Sequence, residues 1–378
     1  MEHYLDNSAT TKVCQAAAEA AMLAMTEIYG NPSSTHTRGR EARQLLDKSR
    51  KQVADALGCT SQELVFTSCG SESDNWAILN GAELMRRKGM HIISSQVEHD
   101  AVRRSLDELE RRGFEVTRLK PDETGAIPVQ AVMEALRPDT VLVTLMLVNN
   151  ETGAVTDIGA IARAMKKAGS QALLHTDAVQ AFMKLPFTVK SLGADMISVS
   201  GHKIHAPKGI GALYLRKGYH IEPPYLGGGQ EKGMRPGTEN LPYAIGMAKA
   251  ATLLSRTLPQ RHKTLVELNT RLREGLKQFP EVTLNSPEDA VPEVLNFSLN
   301  VIRSETMLHH LETMGVYVSS GSACSKGAAS HTLTAMGLEP RRIDTAIRAS
   351  FCADNTPEDV DALLEGLKTG LATLSRIR

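Results

Sequence analysis

The sequence predicts an α/β protein with a large domain, built on a mostly parallel sheet sandwiched by helices, and a smaller α+β domain. Between about residues 64 and 215, short apolar runs alternate with stretches of helical apolar spacing, as in strands joined by crossover helices. From Val294 the pattern changes to strand, helix, strand and further helices. We therefore place the large domain at residues 13–255 and the main part of the small domain at residues 256–378.

Helices are expected on both sides of the alternating region. An alanine-rich helix should span Gln15 to Met25, and a second should span Gly39 to Leu57, with Gly58 as its stop signal. A long helical stretch from about Tyr243 to Leu276 should bridge the two domains. We expect it to break near Pro259, because proline removes a backbone donor and clashes with the preceding turn.

The strands are expected at the apolar runs. In the large domain these runs are residues 64–66, 91–93, 141–148, 172–174 and 196–199. In the small domain we expect a strand at Leu295–Leu299, a helix at Ser304–Met314 and a strand at Val316–Val318.

Composition excludes several classes of protein. The 378 residues include 43 Lys plus Arg and 43 Asp plus Glu, so no charge excess favours nucleic acid or an acidic membrane as a partner. The first residues lack the features of a signal peptide, and the apolar run 141–148 is too short to span a membrane. We expect a cytoplasmic protein, and we interpret the arginine pairs 103–104 and 111–112 as ordinary helix surface.

Polar residues follow the apolar runs. Lys203 comes after the run 196–199 through Ser200, Gly201 and His202, and Asp177 follows the run 172–174. This pair suits pyridoxal 5′-phosphate (PLP), because a lysine carries this cofactor as a Schiff base and a carboxylate keeps its pyridine nitrogen protonated. The alternative is a lysine that merely extends its amine into water from a strand end.

A phosphate site is predicted after the run 64–66. A turn of small residues containing Gly70 and Ser71 leads into a helix, and free N–H groups at a helix start bind anions. Gly70 permits close backbone approach, and Ser71 adds a hydroxyl donor. The alternative is an ordinary helix N-cap.

Two further residues follow strands. His99 can stack on a cofactor ring and relay protons, since its pKa is near neutrality, and Asn150 can bond the ring's phenolic oxygen or the substrate. Each also fits a plainer role, a histidine that caps a helix or an asparagine in a turn. Together, these strand-end groups fit one crevice at the carboxyl edge of an open sheet.

A series of motifs spans nearly the whole chain. They are Gly30-Asn31-Pro32-Ser33-Ser34-x-His36, Ser71-Glu72-Ser73-Asp74-Asn75, Glu98-His99, Asn149-Asn150-Glu151, Asp177-Ala178-Val179-Gln180, Ser200-Gly201-His202-Lys203, Arg235-Pro236-Gly237-Thr238 and Ser319-Ser320-Gly321-Ser322-Ala323-Cys324. In this order they resemble the cysteine desulfurases, PLP enzymes of the class V aminotransferase group on the fold-type I scaffold. The resemblance also implies that residues 1–12 join the small domain.

The resemblance implies a role for each matching residue. Around the cofactor ring these are the Schiff-base lysine Lys203, the pyridinium partner Asp177, the phenolic-oxygen contact Gln180 and the stacking residue His99. The phosphate would be held by Gly70, Ser71, Ser200, His202 and, from the second subunit of a homodimer, Thr238. The substrate carboxylate would be bound by Asn150 and Arg348, and Cys324 would receive the sulfur.

The cysteines of this chain are expected to be free thiols. The five cysteines, at positions 14, 59, 69, 324 and 352, include no C-x-x-C pair and no cluster with histidines that suggests a metal site, which favours a reducing compartment. Cys324 lies among small and polar residues that suit a loop, and nearby Lys326 favours its thiolate. Cys69 lies at the expected cofactor turn, and no role is assigned to it.

The expected activity is conversion of L-cysteine to L-alanine, with the sulfur passed as a persulfide on Cys324 to acceptor proteins for iron–sulfur cluster assembly or tRNA thiolation. Selenocysteine lyase, or a transaminase with an incidental Cys324, is an alternative. A PLP-binding interaction protein without turnover is a remote one, since Lys203, Asp177 and His99 are intact.

Two differences from the housekeeping members leave the acceptor open. The spacing from Cys324 to Gly337 is about two residues shorter than theirs. The chain also ends at Arg378, without the C-terminal extension that docks the iron–sulfur scaffold in those members.

Overall fold

The computed structural model describes residues 2–320 and 329–377, so Cys324 lies outside the described residues. The strands, in chain order, are β1 His3–Tyr4, β2 Leu64–Thr67, β3 His91–Ser95, β4 Glu115–Leu119, β5 Thr140–Met146, β6 Leu173–Asp177, β7 Met196–Ser200, β8 Gly211–Leu215, β9 Thr283–Leu284, β10 Val294–Ser298, β11 Val316–Tyr317 and β12 Ala346–Ser350.

The helices are α1 Gln15–Thr26, α2 Thr37–Leu57, α3 Gly70–Met85, α4 Asp100–Arg111, α5 Val129–Ala135, α6 Ile158–Lys167, α7 Val189–Leu192, α8 Leu241–Leu276, α9 Ser304–Thr313, α10 His331–Ala335, α11 Pro340–Asp344 and α12 Pro357–Thr373. Gly58 ends α2 with φ 74°, a left-handed conformation that glycine adopts without strain.

Seven strands form the central sheet in the order β2-β8-β7-β6-β5-β3-β4. In this sheet β8 runs antiparallel to both neighbours, whereas β3 to β7 pair in parallel. Both faces of this sheet are covered. The adjacent residues Ile92 and Ile93 on β3 point to opposite faces, and they belong to different apolar cores. Strands buried on both faces appear as continuous apolar runs. The predicted α/β class with a mostly parallel, helix-covered sheet is confirmed.

A second unit has its own core. It contains the antiparallel sheet β12-β10-β9 and the parallel pair β1–β11, with apolar side chains from α9 and α12. Leu5 is fully buried in this core, which supports our assignment of residues 1–12 to the small domain. Val291 and Val294 instead belong to the core of the central sheet. The domain boundaries remain a prediction.

The expected break near Pro259 was wrong, because α8 runs without interruption through this residue. Its first half, from Ala244 to Ala251, is buried in the central core, and its second half, from Leu265 to Leu276, is buried in the small core. Packing at both ends outweighs the lost backbone bond, and Arg261 Nη2 donates to the Leu254 carbonyl at 3.1 Å near the proline. Across residues 2–320 and 329–377, no helix combines the length and apolar character needed to cross a bilayer.

Candidate active site

The predicted site residues converge on one cleft of about 520 Å³, a volume typical of small-molecule sites. Those that line it are Gly70, Ser71, His99, Asn150, Asp177, Gln180, Ser200, His202, Lys203 and Arg348. Of the remaining two, Thr238 lies in a different recess, and Cys324 lies outside the described residues.

Sheet register explains the convergence. Asp177 at the end of β6 is paired with Met146 on β5 and with Ser198 on β7, so these parallel strands end at one edge. Beyond β7, a single 3₁₀ turn, Gly201–Lys203, brings the lysine to that edge. The carboxyl edge of an open α/β sheet is where such folds bind ligands.

The amine of Lys203 is held by the N-terminal segment. Its Nζ donates to the carbonyls of Ser8 and Ala9 at 2.5 and 2.7 Å, and both of these residues line the cleft. Sequence analysis missed them, because they follow no apolar run and reach the site only through the small unit.

Asp177 is a buried carboxylate. Its Oδ1 accepts a hydrogen bond from the Val179 N–H at 2.9 Å. Burial raises the pKa of Asp177, while the positive charges of His99 and Lys203 oppose that rise. A cation placed against such a desolvated carboxyl would favour its ionised form.

Two further buried acids, Asp74 and Glu98, lie near Asp177 and were missed from the sequence. Burial, followed by repulsion from Asp177, raises the pKa of Asp74 well above its usual range. Burial raises the pKa of Glu98 to about 8, although its Oε1 accepts from Ser95 Oγ at 2.5 Å and from the Met146 N–H at 3.1 Å. Glu98 is therefore mainly protonated at pH 7, and burial shifts the pKa of Asp74 in the same direction, whereas the charge of Lys203 opposes the rise at Asp177.

The predicted phosphate turn forms the start of α3. The helix begins at Gly70, and its N-cap, Cys69, makes no side-chain capping bond, so the N–H groups of the first turn remain available for an anion. A Cβ on Gly70 would lie 2.7 Å from Val179 Cγ2. The buried Ser200 Oγ has no hydrogen-bond partner among the described residues. These features would suit a close-fitting anion cradle, and the binding of a phosphate there remains a prediction.

His202 and His99 each have a hydrogen-bond partner within the protein. Nδ1 of His202 lies 3.2 Å from Thr10 Oγ1, and burial together with the charge of Lys203 lowers the pKa of His202 to about 4, so the ring is neutral at pH 7. His99 caps α4 by accepting the Ala101 N–H on Nδ1 at 3.1 Å. In the neutral His99 ring the proton is therefore on Nε2.

Arg348 is almost completely buried on β12. Its Nη1 donates to the Asn150 carbonyl at 2.9 Å, and its Nη2 donates to Asp6 Oδ1 at 2.8 Å. The guanidinium thus connects the small-unit sheet to the end of β5. Its binding of a substrate carboxylate, together with Asn150, remains a prediction.

The amide of Gln180 is engaged by the protein. Its Nε2 donates to the Ser8 carbonyl at 2.9 Å, and its Oε1 accepts from Lys184 Nζ at 2.7 Å. These bonds fix the side chain at the cleft wall. Its contact with a cofactor's phenolic oxygen remains a prediction.

The pair Arg103 and Arg104 lines the cleft, so its interpretation as ordinary helix surface was wrong. The cause is the position of α4, whose N-cap His99 already lies at the strand edge, so the first turn stays beside the cleft. His331, from α10, also lines it and was missed. The two arginines add positive charge that favours anionic ligands.

Thr238 lines a separate recess of about 230 Å³ with Thr67 and Ser68. The loop that carries it is tied to α3, because Arg235 donates to Glu72 at 2.9 and 3.2 Å. Over the part of the chain that the structure describes, no group of three His, Cys, Asp or Glu side chains could hold a metal ion.

Known proteins resemble this chain over nearly its whole length. The aminotransferase class V family model matches residues 3–363. A cysteine desulfurase IscS from Methanosarcina thermophila is 43% identical over 96% of this chain and 90% of its own. A cysteine desulfurase from a Nostoc species is 42% identical over 96% of this chain and 91% of its own.

A solved NifS-like protein superposes with a TM-score of 0.94 at 37% identity, covering 99% of this chain and all of its own. The structure described as SspA in complex with cysteine has a TM-score of 0.82 at 32% identity, over 94% of this chain and all of its own. These matches agree with the cleft in pointing to one group of enzymes. The chain belongs to the aminotransferase class V family, and its relatives there are cysteine desulfurases.

Proposed function

We propose that the protein is a PLP-dependent cysteine desulfurase that converts L-cysteine to L-alanine and receives the sulfur on Cys324. The observation that carries this proposal is that Lys203, Asp177 and the start of α3 at Gly70 meet in one cleft. Relatives at 42–43% identity bear this name.

The residues present fit the cofactor. Lys203 would bind it covalently through Nζ, Asp177 would pair with its pyridinium nitrogen, and the first turn of α3 would hold its phosphate. The buried Ser200 Oγ would gain a partner from the phosphate. When bound, PLP supplies a protonated ring that accepts the electron pair released at the substrate's α carbon.

The charge on Asp177 supports this assignment. Because burial raises the pKa of Asp177, a cation beside it would favour its ionised form. Burial also raises the pKa values of Asp74 and Glu98, the latter to about 8, which disfavours their ionised forms. Asp177, at the end of β6 and within the field of Lys203, is the carboxyl assigned to that cation.

Proton transfer is assigned to residues of the cleft. Nζ of Lys203, the amine within the cleft, would be the base that accepts the substrate's α proton. His99, whose Nδ1 accepts the Ala101 N–H, can donate through Nε2, and Arg348 supplies positive charge for the substrate carboxylate. These assignments rest on placement in the cleft and on the matching family motifs.

Sulfur transfer is assigned to Cys324, on the sequence motif alone. Its thiolate attacks the substrate sulfur, so that an S–S bond forms and the substrate C–S bond breaks, with the electron pair remaining on carbon. Protonation of that carbon gives alanine, and the enzyme keeps a persulfide. Acceptor proteins for iron–sulfur cluster assembly or tRNA thiolation would then take the terminal sulfur.

A homodimer is part of the proposal. Thr238 lines a recess outside the cleft, as expected if it serves the phosphate of a neighbouring subunit. Twofold dimers are also the commonest soluble oligomers.

The decisive experiment compares wild type with Cys324→Ser. Wild type should produce alanine and sulfide in equal amounts from L-cysteine with a thiol reductant, and a persulfide should map to Cys324. Cys324→Ser should keep the cofactor and still change its absorbance with cysteine, yet release almost no alanine, because a serine hydroxyl is not ionised at neutral pH. Near-normal alanine production by this variant would instead indicate a lyase that does not use Cys324, and conversion of cysteine to its 2-oxo acid would indicate a transaminase.

A further inference from the structure

We propose that Glu151 and His331 are positioning residues that anchor the chain just after the cysteine-bearing segment (residues 320–329, which include Cys324) to the catalytic cleft. This anchor sets the rate of sulfur transfer. The inference rests on the proposed function, since it concerns the step in which Cys324 takes the sulfur. The two side chains take part in separate contacts: Glu151 lies on the loop after β5, and His331 lies at the start of α10.

The first contact joins Ser330 to Glu151. Ser330 Oγ donates to Glu151 Oε2 at 2.5 Å and accepts the Leu333 N–H at 3.0 Å as the cap of α10. Glu151 is 1% exposed, and a carboxyl buried to this extent is costly unless it is hydrogen-bonded. The bond therefore fixes the start of α10 against the end of β5.

The second contact joins His331 to Glu98. Nε2 of His331 donates to the Glu98 carbonyl at 2.9 Å, one residue before His99. Both His331 and Glu151 line the cleft. The chain that returns from the cysteine-bearing segment is thus bonded to two strand ends that also carry candidate catalytic residues.

The chain that enters the segment is fixed at the same place. Ser319 and Arg348 exchange backbone hydrogen bonds of 2.7 and 3.1 Å, and Arg348 Nη1 donates to the Asn150 carbonyl. Entry is therefore tied to residue 150 through Arg348, and return is tied to residues 98 and 151.

The base of this anchor is rigid. Asn149 Oδ1 accepts the Glu151 N–H at 2.9 Å, and Asn296 Nδ2 donates to the Glu151 carbonyl at 3.2 Å. In the sequence, Cys324 lies between the fixed residues Ser319 and Ser330. The effective concentration of a tethered group depends on where its tether is attached, so loss of one attachment should slow the transfer step more than substrate binding.

The test uses the dimeric holoenzyme and two variants of His331. His331→Phe keeps a ring but removes the N–H donor, whereas His331→Gln keeps a donor for the Glu98 carbonyl. We expect His331→Phe to slow single-turnover persulfide formation on Cys324 by about tenfold to a hundredfold, since small displacements of reacting groups have effects of this size. His331→Gln should recover most of the rate. Persulfide is measured by rapid quench, alkylation and mass spectrometry.

A second readout separates positioning from simple damage. The change in cofactor absorbance on mixing with cysteine reports substrate binding in the cleft, and it should keep its amplitude in both variants. Glu151→Leu, which cannot accept from Ser330, should behave like His331→Phe, and Glu151→Gln, which can, should resemble wild type. His309→Phe, on an exposed face of α9, is the matched control.

Transfer at the wild-type rate in both His331→Phe and Glu151→Leu would overturn the anchor. Loss of the absorbance change in parallel with transfer would also overturn it, because a general defect would then explain the result. A wild-type enzyme that forms no persulfide would instead contradict the proposed function itself.

Discussion

Glu231 accepts two hydrogen bonds from the guanidinium of Arg50, at 2.5 and 2.8 Å, and both side chains are almost completely buried. The same carboxylate accepts the Phe66 N–H at 3.0 Å, and the guanidinium stacks over the Phe66 ring at 5.0 Å. The loop that carries Thr238 is thereby tied to α2 and β2.

This pair predicts a large effect on stability. Glu231→Gln leaves the buried charge of Arg50 uncompensated, and such losses typically reduce the free energy of unfolding by about 3–5 kcal/mol. Urea unfolding of wild type and Glu231→Gln measures this loss of free energy. As a control, Glu274→Gln breaks the exposed pair with Lys277 and should change stability by less than about 1 kcal/mol. Equal effects from the two variants would contradict a special role for the buried pair.

Cofactor attachment gives the second prediction. The purified protein should be yellow, and Lys203→Ala should alter or remove the visible absorbance band and abolish turnover, because Nζ of Lys203 is the amine held within the cleft. Lys208→Ala, five residues further on and exposed, should retain the band. If Lys208→Ala lost the band and Lys203→Ala kept it, the attachment site would be Lys208.

The phosphate cradle gives the third prediction. In Gly70→Ala the new methyl would meet Val179 Cγ2 at 2.7 Å, so the start of α3 must shift and PLP affinity should fall by about tenfold, equivalent to ~1.4 kcal/mol. Titration of the apoprotein with PLP, followed by absorbance, measures this. Gly229→Ala places its methyl in open space and should bind PLP like wild type. Unchanged affinity in Gly70→Ala would locate the phosphate elsewhere.

Residues that follow apolar runs could be placed in the cleft from the sequence. Lys203 and Asp177 were found in this way, because buried parallel strands give continuous apolar runs and end at a common edge. The same logic located His99 and Asn150.

Residues brought in by tertiary contacts had no such signal. Ser8 and Ala9 bond Lys203 from about 195 positions earlier, and nothing local in residues 1–12 marks that contact. Nothing local in the sequence marks Arg50 and Glu231 as a buried pair, because they lie 181 residues apart. The expectation at Pro259 was wrong for the opposite reason. The low helix propensity of proline was a clear local signal, but packing at both ends of α8 outweighed it.

The last prediction concerns Glu98 and the dependence of stability on pH. In the unfolded chain this carboxyl has its ordinary pKa of 4.5, whereas burial raises the pKa to about 8 in the folded protein. Between these values the folded state keeps a proton that the unfolded state releases, so the contribution of Glu98 to stability is complete below pH 4.5 and is lost as the pH rises towards 8.

Glu98→Gln should remove this dependence. The amide has the shape of the neutral acid, and its oxygen can accept the bonds from Ser95 Oγ and the Met146 N–H. The melting temperature of Glu98→Gln relative to wild type should therefore increase steadily from pH 5 to pH 8 and then level off. Glu123→Gln, at an exposed position, should show no such trend. Parallel melting curves for Glu98→Gln and wild type across this range would mean that Glu98 is already ionised in the folded protein, and would remove the reason for assigning the ring-facing charge to Asp177 alone.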